Sequence, residues 1–282
     1  MVLVVLVLLV LAVGTAAAET YVEGYLGYTF DVTSPNPLEL DVNPYFRGPT
    51  KTSLEYPRTL SVGLLYGVKL GTWFSREGFP KIDYPDWMKY LGFYLDFNYH
   101  QFDRSDLVRD TVGTRRMYVT PSTYPHYQQY KFSVGGNASI YTLAFMFAFR
   151  YGFFPTEKVP FGKLQPYVAV GPAIFITSIK PNYVIQPSDF ELFPVINRTV
   201  VKGSFNSVAS LGLETELGLR FIIARENGFL KRGFLSVDTS VKYRLTQPSL
   251  SYDIVAFGYT HQLRFAPQIN LFSIQTGVAY HF

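Results

Sequence analysis

Four histidines, two closely spaced glutamates and a complete lack of cysteine set the chemical repertoire of this 282-residue chain. His100, His126, His261 and His281 are scattered, and ligand clusters of recognised metal-site spacing are missing, so neither a metal nor another cofactor is expected. Glu214 and Glu216 are spaced like a carboxylate pair, which at an open rim could serve as general acid and base. Both fall on the same strand face as Arg220, however, and charges on an enclosed face usually pair, so a salt-bridged interior containing Glu216 and Arg220 is the expected role. No nucleophile with an adjacent base stands out locally, and the chain is expected not to be an enzyme. The absence of cysteine excludes disulfides, a thiol nucleophile, a cysteine-ligated metal and a lipid-modified N-terminal cysteine. A net charge of +4 without a run of Lys or Arg makes nucleic acid an unexpected partner.

The elements that must position these residues are strands. Aromatics make up 17% of the chain, with 22 Tyr and 25 Phe against only 16% charged residues, a balance that favours sheet over helix. Eight segments place an apolar residue at every second position. In one, Leu91, Phe93, Leu95, Phe97 and Tyr99 alternate with Gly92, Tyr94, Asp96, Asn98 and His100; in the next, Tyr141 to Phe153 alternate with Thr142, Ala144, Met146, Ala148, Arg150 and Gly152. The same pattern runs from Leu60 to Gly71, Ser210 to Phe221 and Leu235 to Arg244, and with weaker contrast over Thr20 to Val32, Leu164 to Thr177 and Phe265 to Phe282. Pro166 and Pro172 count against the Leu164 to Thr177 segment, because each lacks an N–H for the ladder.

A soluble sandwich would also alternate, so the decision rests on which face carries the bulk. One face is Leu, Phe, Val and Tyr without a charge; the other is rich in Gly, Ala and Ser with charges of both signs. A narrow closed barrel needs small residues inside, and a lipid-facing band needs uncharged bulk outside. The expected fold is therefore all-β: a transmembrane eight-stranded antiparallel up-and-down β-barrel. Its inward face would carry Glu23, Lys69, Asp96, Arg150, Glu214, Glu216, Arg220, Asp238, Lys242 and Arg244, five acids and five bases that block the lumen by mutual neutralisation. Tyr28, Phe30, Tyr99, Tyr141 and Tyr243 would form one interfacial girdle, and Phe74, Tyr151, Phe153, Phe221, Tyr280 and Phe282 the other.

The connections alternate long and short: Thr33 to Pro57, Ser75 to Met88, Asp103 to Asn137, Pro155 to Lys163, Ser178 to Asn206, Glu226 to Lys231 and Thr246 to Arg264. Long extracellular loops and short periplasmic turns would put both termini in the periplasm. Tyr118, Tyr124, Tyr127, Tyr130, Tyr252, Phe257 and Tyr259 make the loops aromatic, either as a patch for a partner or lipopolysaccharide sugar or as packing onto the rim. The sequons at Asn137 and Asn197 would matter only in a eukaryotic secretory setting. Ahead of the barrel, Val2 to Val13 are apolar and lead through Gly14 and Thr15 to Ala16-Ala17-Ala18 before Glu19. That is the layout of a cleavable signal peptide over 1–18 with cleavage between Ala18 and Glu19, although no Lys or Arg precedes the apolar run. Residues 19–282 form the barrel domain on this reading.

Several segments resemble the small OmpA-type outer-membrane barrels of Gram-negative bacteria, the broad "porin family" β-barrel group. Leu164-Gln165-Pro166-Tyr167-Val168-Ala169-Val170-Gly171-Pro172-Ala173 resembles that group's fifth strand, with Ala173 where a Gly is usual. Glu216-Leu217-Gly218-Leu219-Arg220-Phe221 resembles its sixth strand, and Gly277-Val278-Ala279-Tyr280-His281-Phe282 its C-terminal aromatic assembly signal, carried by Tyr280 and Phe282. The resemblance implies an outer-membrane location, contact with outer-membrane lipids and lipopolysaccharide, and recognition by the barrel-insertion machinery. It does not fix function, because such barrels differ in their loops. A structural or surface-interaction barrel, open to an extracellular ligand through its loops, is the leading expectation. A narrow diffusion channel and a lipid-modifying barrel enzyme are the alternatives. No cell-wall-anchoring domain is expected after the last strand.

Overall fold

Eight of the alternating segments close into one antiparallel barrel. The computed structural model describes residues 19–32, 37–41, 51–55, 63–74, 77–78, 82–83, 85–102, 117–119, 126–128, 130–157, 159–187, 199–202, 206–225, 233–256, 259–265 and 268–282. The 1–18 segment expected as a signal peptide lies outside them. The barrel strands are β1 (Glu19–Asp31), β2 (Gly63–Trp73), β3 (Leu91–Phe102), β4 (Tyr130–Arg150), β5 (Leu164–Pro187), β6 (Asn206–Arg225), β7 (Phe234–Thr246) and β8 (Ile269–His281). Each pairs antiparallel with the next in sequence, and β1 meets β8 to close the ring, with Tyr21 opposite His281 and Asp31 opposite Leu271. Closure leaves every barrel strand two neighbours, which removes the exposed edges an open sheet would carry.

Polarity is inverted relative to a soluble barrel. Leu26, Phe97, Phe145, Phe147, Val170, Leu217 and Ile274 are exposed on the outside, and among the described outward-facing residues between Val22 and Val278 on these strands none is charged. The inward positions hold the charges. Register sets opposite charges side by side: Glu23, Lys69 and Asp96 across β1, β2 and β3, and Glu214 with Arg244, Glu216 with Lys242 and Arg220 with Asp238 across β6 and β7. Such directly opposed pairs favour this register over a one-residue slip, which would turn every charge to the outside.

The two prolines in the first half of β5, Pro166 and Pro172, sit inside the ladder. Pro166 is opposite Leu219 and Pro172 opposite Leu213 on β6. The Pro166 carbonyl accepts from the Tyr151 N–H, so Pro166, and Pro172 six residues on, turn their amide side to β4. There the ladder is interrupted: Ala144 pairs with Ala173 and Phe147 with Val170, with no ladder partners between. The missing N–H of Pro172 explains the gap, and Gly171 brings the chains so close that a Cβ there would overlap the Phe145 carbonyl oxygen.

Three differences from the sequence reading concern length and loops. β4 and β5 run to 21 and 24 residues, because Tyr130 to Ala138 and Ile179 to Pro187 continue pairing past the point where β3 and β6 end, and Thr199–Lys202 adds a further strand to β5. The first and last long connections hold strands of their own, Pro37–Asp41, Lys51–Glu55, Leu250–Ala256 and Tyr259–Phe265, joined in one four-stranded sheet. The last barrel strand therefore begins at Ile269 and not near Phe265. Between β2 and β3, at the end where the termini lie, the connection carries a 3-10 turn, Asp86–Tyr90.

Candidate functional site

The lumen is the one region where titratable groups converge among the described residues. All ten charged residues assigned to the inward face are buried. Their partners run in a connected chain. Arg220 donates to Glu23 at 3.1 Å and to Asp238 at 3.1 Å. Lys69 Nζ lies 2.8 Å from Glu23 Oε1 and 2.7 Å from Glu216 Oε1. Lys242 Nζ contacts Asp96 Oδ2, Glu214 Oε1 at 3.1 Å and Glu216 Oε2 at 3.3 Å. Arg244 donates to Glu214 at 2.7 Å and to Ser273 at 2.7 Å. From Ser273 a neutral relay continues through Thr29, His100 and Asn98 back towards Asp96.

Several of these contacts cross the axis. In a ring of eight, β2 stands opposite β6 and β3 opposite β7, so Lys69–Glu216 and Asp96–Lys242 tie opposite walls together. Three tyrosines fill the space between. Tyr94 donates to Glu216 at 2.6 Å, Tyr25 donates to Asp96 at 2.5 Å, and the Tyr167 hydroxyl lies 2.6 Å from Glu216 and 2.7 Å from Asp238. Room for the rings comes from glycines: a Cβ at Gly218 would strike the Tyr167 ring, and one at Gly67 the Tyr25 ring. An eight-stranded interior is only wide enough for side chains, and here side chains occupy it.

Arg150 forms a separate group at the end where the termini lie. Its guanidinium binds Glu19 through two bonds of 2.9 and 2.6 Å and lies 4.3 Å from the ring centroids of both Trp73 and Phe161. His281 approaches Glu19 at 3.1 Å, shares a 2.8 Å hydrogen bond with Ser236 and stacks on Phe234 at 4.1 Å. His100 is buried towards the other end against Thr29 and Asn98, so the two inward histidines share no site. The loop aromatics and both loop histidines lie where side chains are outside the described set.

Asp96, Glu214 and Glu216 present carboxylate oxygens within 4.8 Å of one another, a spacing that could hold a cation. The Lys242 ammonium is bound to all three. Glu214 and Glu216 are thus each engaged by bases, and neither faces a solvent-open cleft. The structure also fixes the partners. Glu216 engages Lys69 and Lys242, whereas Arg220 engages Glu23 and Asp238, so both residues belong to the salt-bridged interior without pairing with each other. Four residues along one strand separate them by about 13 Å of rise, beyond a contact. Sequence reasoning missed Glu19 as the partner of Arg150 and Tyr25 and Tyr167 as carboxylate donors. Glu19 and Tyr25 continue the inward parity of Glu23, which was the available signal.

A closed eight-stranded barrel whose described outward-facing strand residues are uncharged, around a charged, filled interior, has the architecture of small outer-membrane barrels. Solved outer-membrane proteins are similar to this chain, and it is the likeness to OprG that shows the shared fold. OprG of Pseudomonas aeruginosa matches with a TM-score of 0.50 at 11% identity, over 95% of this chain and 97% of that one. Neisserial surface protein A matches with a TM-score of 0.40 at 9% identity, over 93% and 97%. A major outer membrane protein of Thermus thermophilus matches with a TM-score of 0.40 at 13% identity, over 94% and 100%. No family model and no curated protein matches the sequence.

Proposed function

We propose that this chain is a non-enzymatic integral outer-membrane barrel, with a structural or surface-interaction role and a lumen closed by paired charges. The observation that carries the reading is the pair of cross-axis ties, Lys69–Glu216 and Asp96–Lys242, inside a wall whose described outward-facing strand residues are uncharged. Uncharged bulk outside suits lipid, and a charged axis without a free path suits a barrel that anchors loops in preference to passing solutes. On this reading the long loops face outward from the cell, where they meet lipopolysaccharide or an extracellular ligand, and the termini face the periplasm. The purified protein in planar bilayers should give no stable conductance. A steady open channel in the wild type would replace this reading with the narrow diffusion channel.

Processing and assembly belong to the same proposal. Cleavage between Ala18 and Glu19 would begin the mature chain at the first barrel residue, the one that clamps Arg150. Tyr280 and Phe282 would serve as the signal read by the insertion machinery. Intact-mass measurement of the outer-membrane fraction should give a chain starting at Glu19, and deletion of Phe282 should deplete that fraction. A start elsewhere, or undiminished insertion, would remove the respective half of the claim.

A further inference from the structure

At the end of the barrel where the termini lie, one sector of the rim gathers exposed aromatic residues, Trp87, Tyr151, Phe153 and Phe154. The 3-10 turn Asp86–Tyr90 packs Tyr90 against the barrel's outer aromatics: it stacks on Tyr151 at 5.9 Å and lies 5.7 Å from Phe161 and 6.1 Å from Phe149. With three residues per turn, positions three apart eclipse, so Trp87 stands on the same side as Tyr90. Trp87 is 60% exposed, whereas the chain's other tryptophan, Trp73, is 1% exposed inside the lumen. Lys89 holds its ammonium 5.3 Å from the Tyr90 ring centroid, in the exposed part of the turn.

The turn from β4 to β5 adds to this surface. Tyr151, Phe153 and Phe154 follow one another ring against ring, at 5.0 and 6.4 Å. Phe154 is held at φ +59°, a left-handed backbone that a bulky side chain rarely adopts, and its ring is 69% exposed. A strained backbone that throws an apolar ring outward has no packing benefit in water. At the level of lipid headgroups the ring gains an apolar medium, and exposed tryptophan and tyrosine favour that same level. Lys89 and Lys163, both exposed, stand at this rim and supply positive charge to a headgroup.

We propose that this rim sector seats an anionic glycerophospholipid. The Lys89 ammonium meets the phosphodiester, while Trp87, Tyr90, Tyr151, Phe153 and Phe154 lie along the glycerol and the first acyl carbons. The partner is a membrane lipid of the leaflet on the side of the termini, chosen by its negative charge. The inference rests on the reading of the chain as a membrane-spanning barrel.

Tryptophan fluorescence tests it, because only Trp87 can meet lipid. The full mature chain is reconstituted in phosphatidylcholine vesicles containing a minor fraction of lipid brominated near the headgroup end of its chains, either phosphatidylglycerol or phosphatidylcholine. A single lysine at an anionic surface corresponds to about fivefold enrichment, so brominated phosphatidylglycerol should quench Trp87 about fivefold more effectively at equal content. Trp87→Phe should abolish the quenching and show that Trp73 contributes none. Lys89→Gln should remove the preference for phosphatidylglycerol, and Phe154→Gly should lower shallow quenching by both lipids while keeping their ratio. Equal quenching by the two lipids in the wild type, or a preference that survives Lys89→Gln, overturns the lipid assignment. No quenching by either lipid overturns the membrane reading on which it rests.

Discussion

Lys69 and Glu216 stand on opposite walls of the barrel, 2.7 Å apart, with side chains almost wholly removed from solvent. Removing one member of such a pair leaves a buried charge without its partner and typically costs about 3 to 5 kcal/mol, whereas removing both can be nearly neutral. Lys69→Met and Glu216→Gln should therefore each destabilise the barrel strongly, and the double variant should lose much less than their sum. The same cycle run with Glu216→Gln and Arg220→Met should give a smaller coupling, because those two residues connect only through Glu23, Lys69, Tyr167 and Asp238. Urea unfolding in lipid vesicles measures both cycles. A larger coupling for Glu216 with Arg220 than for Glu216 with Lys69 would contradict the observed partners. What the sequence showed at this scale was the side of the sheet on which each charge lies, since Glu214, Glu216 and Arg220 differ by even numbers of residues. Which charge meets which across the lumen could not be read there, because it depends on how far apart β2 and β6 stand once the ring has closed.

At the scale of elements, β5 shows where local signals and pairing disagree. Pro166 and Pro172 weigh against a ladder, yet the strand forms, because each proline turns its defective side to β4 while carbonyl and neighbours keep both flanking ladders going. The exception is the gap opposite Phe145 and Met146. Pro172→Val should return an N–H to that gap and keep an apolar side chain on the exposed outer face, raising stability by about 0.5 to 1.5 kcal/mol. Urea unfolding would detect the gain; a loss would show that the interruption itself is required by the close approach at Gly171. Strand ends were less legible than strand centres. Gly135, Gly136 and Pro181 fall within the stretches read as connections, Asp103 to Asn137 and Ser178 to Asn206, but in the long extension of β4 and β5 each is paired, with Gly136 opposite Pro181. In the same way Pro37–Asp41 and most of Tyr259–Phe265 fall in stretches read as loops: each has a hairpin partner close by, Lys51–Glu55 and Leu250–Ala256, but the pairing that joins the two hairpins into one sheet links Glu39–Asp41 to Gln262–Arg264, far apart in sequence.

At the scale of the whole molecule, the barrel has two distinguishable ends: one with both termini and the turns near Trp87 and Glu157, the other with the long connections. The absence of cysteine allows single ones to be placed cleanly. Ser249, exposed just past β7, marks the loop end, and Glu157, exposed between β4 and β5, marks the end with the termini. In intact cells Ser249→Cys should react with an impermeant maleimide and Glu157→Cys should react only after the outer membrane is opened. The reverse result would invert the proposed orientation.

Strand number, the polarity of each face and the inward placement of ten charges were determined by sequence alone, because a period of two is a local property that survives whatever the chain later pairs with. The clamp of Arg150 by Glu19, the seating of Tyr167 over Gly218 and the tie from Lys69 to Glu216 were decided only by the tertiary structure. These contacts join residues far apart in sequence, 131 positions for Arg150 and Glu19 and 147 for Lys69 and Glu216, and their distances are set by ring closure and register. No spacing along the chain encodes that geometry, since the same inward charges in a wider barrel would line an open channel in place of closing it.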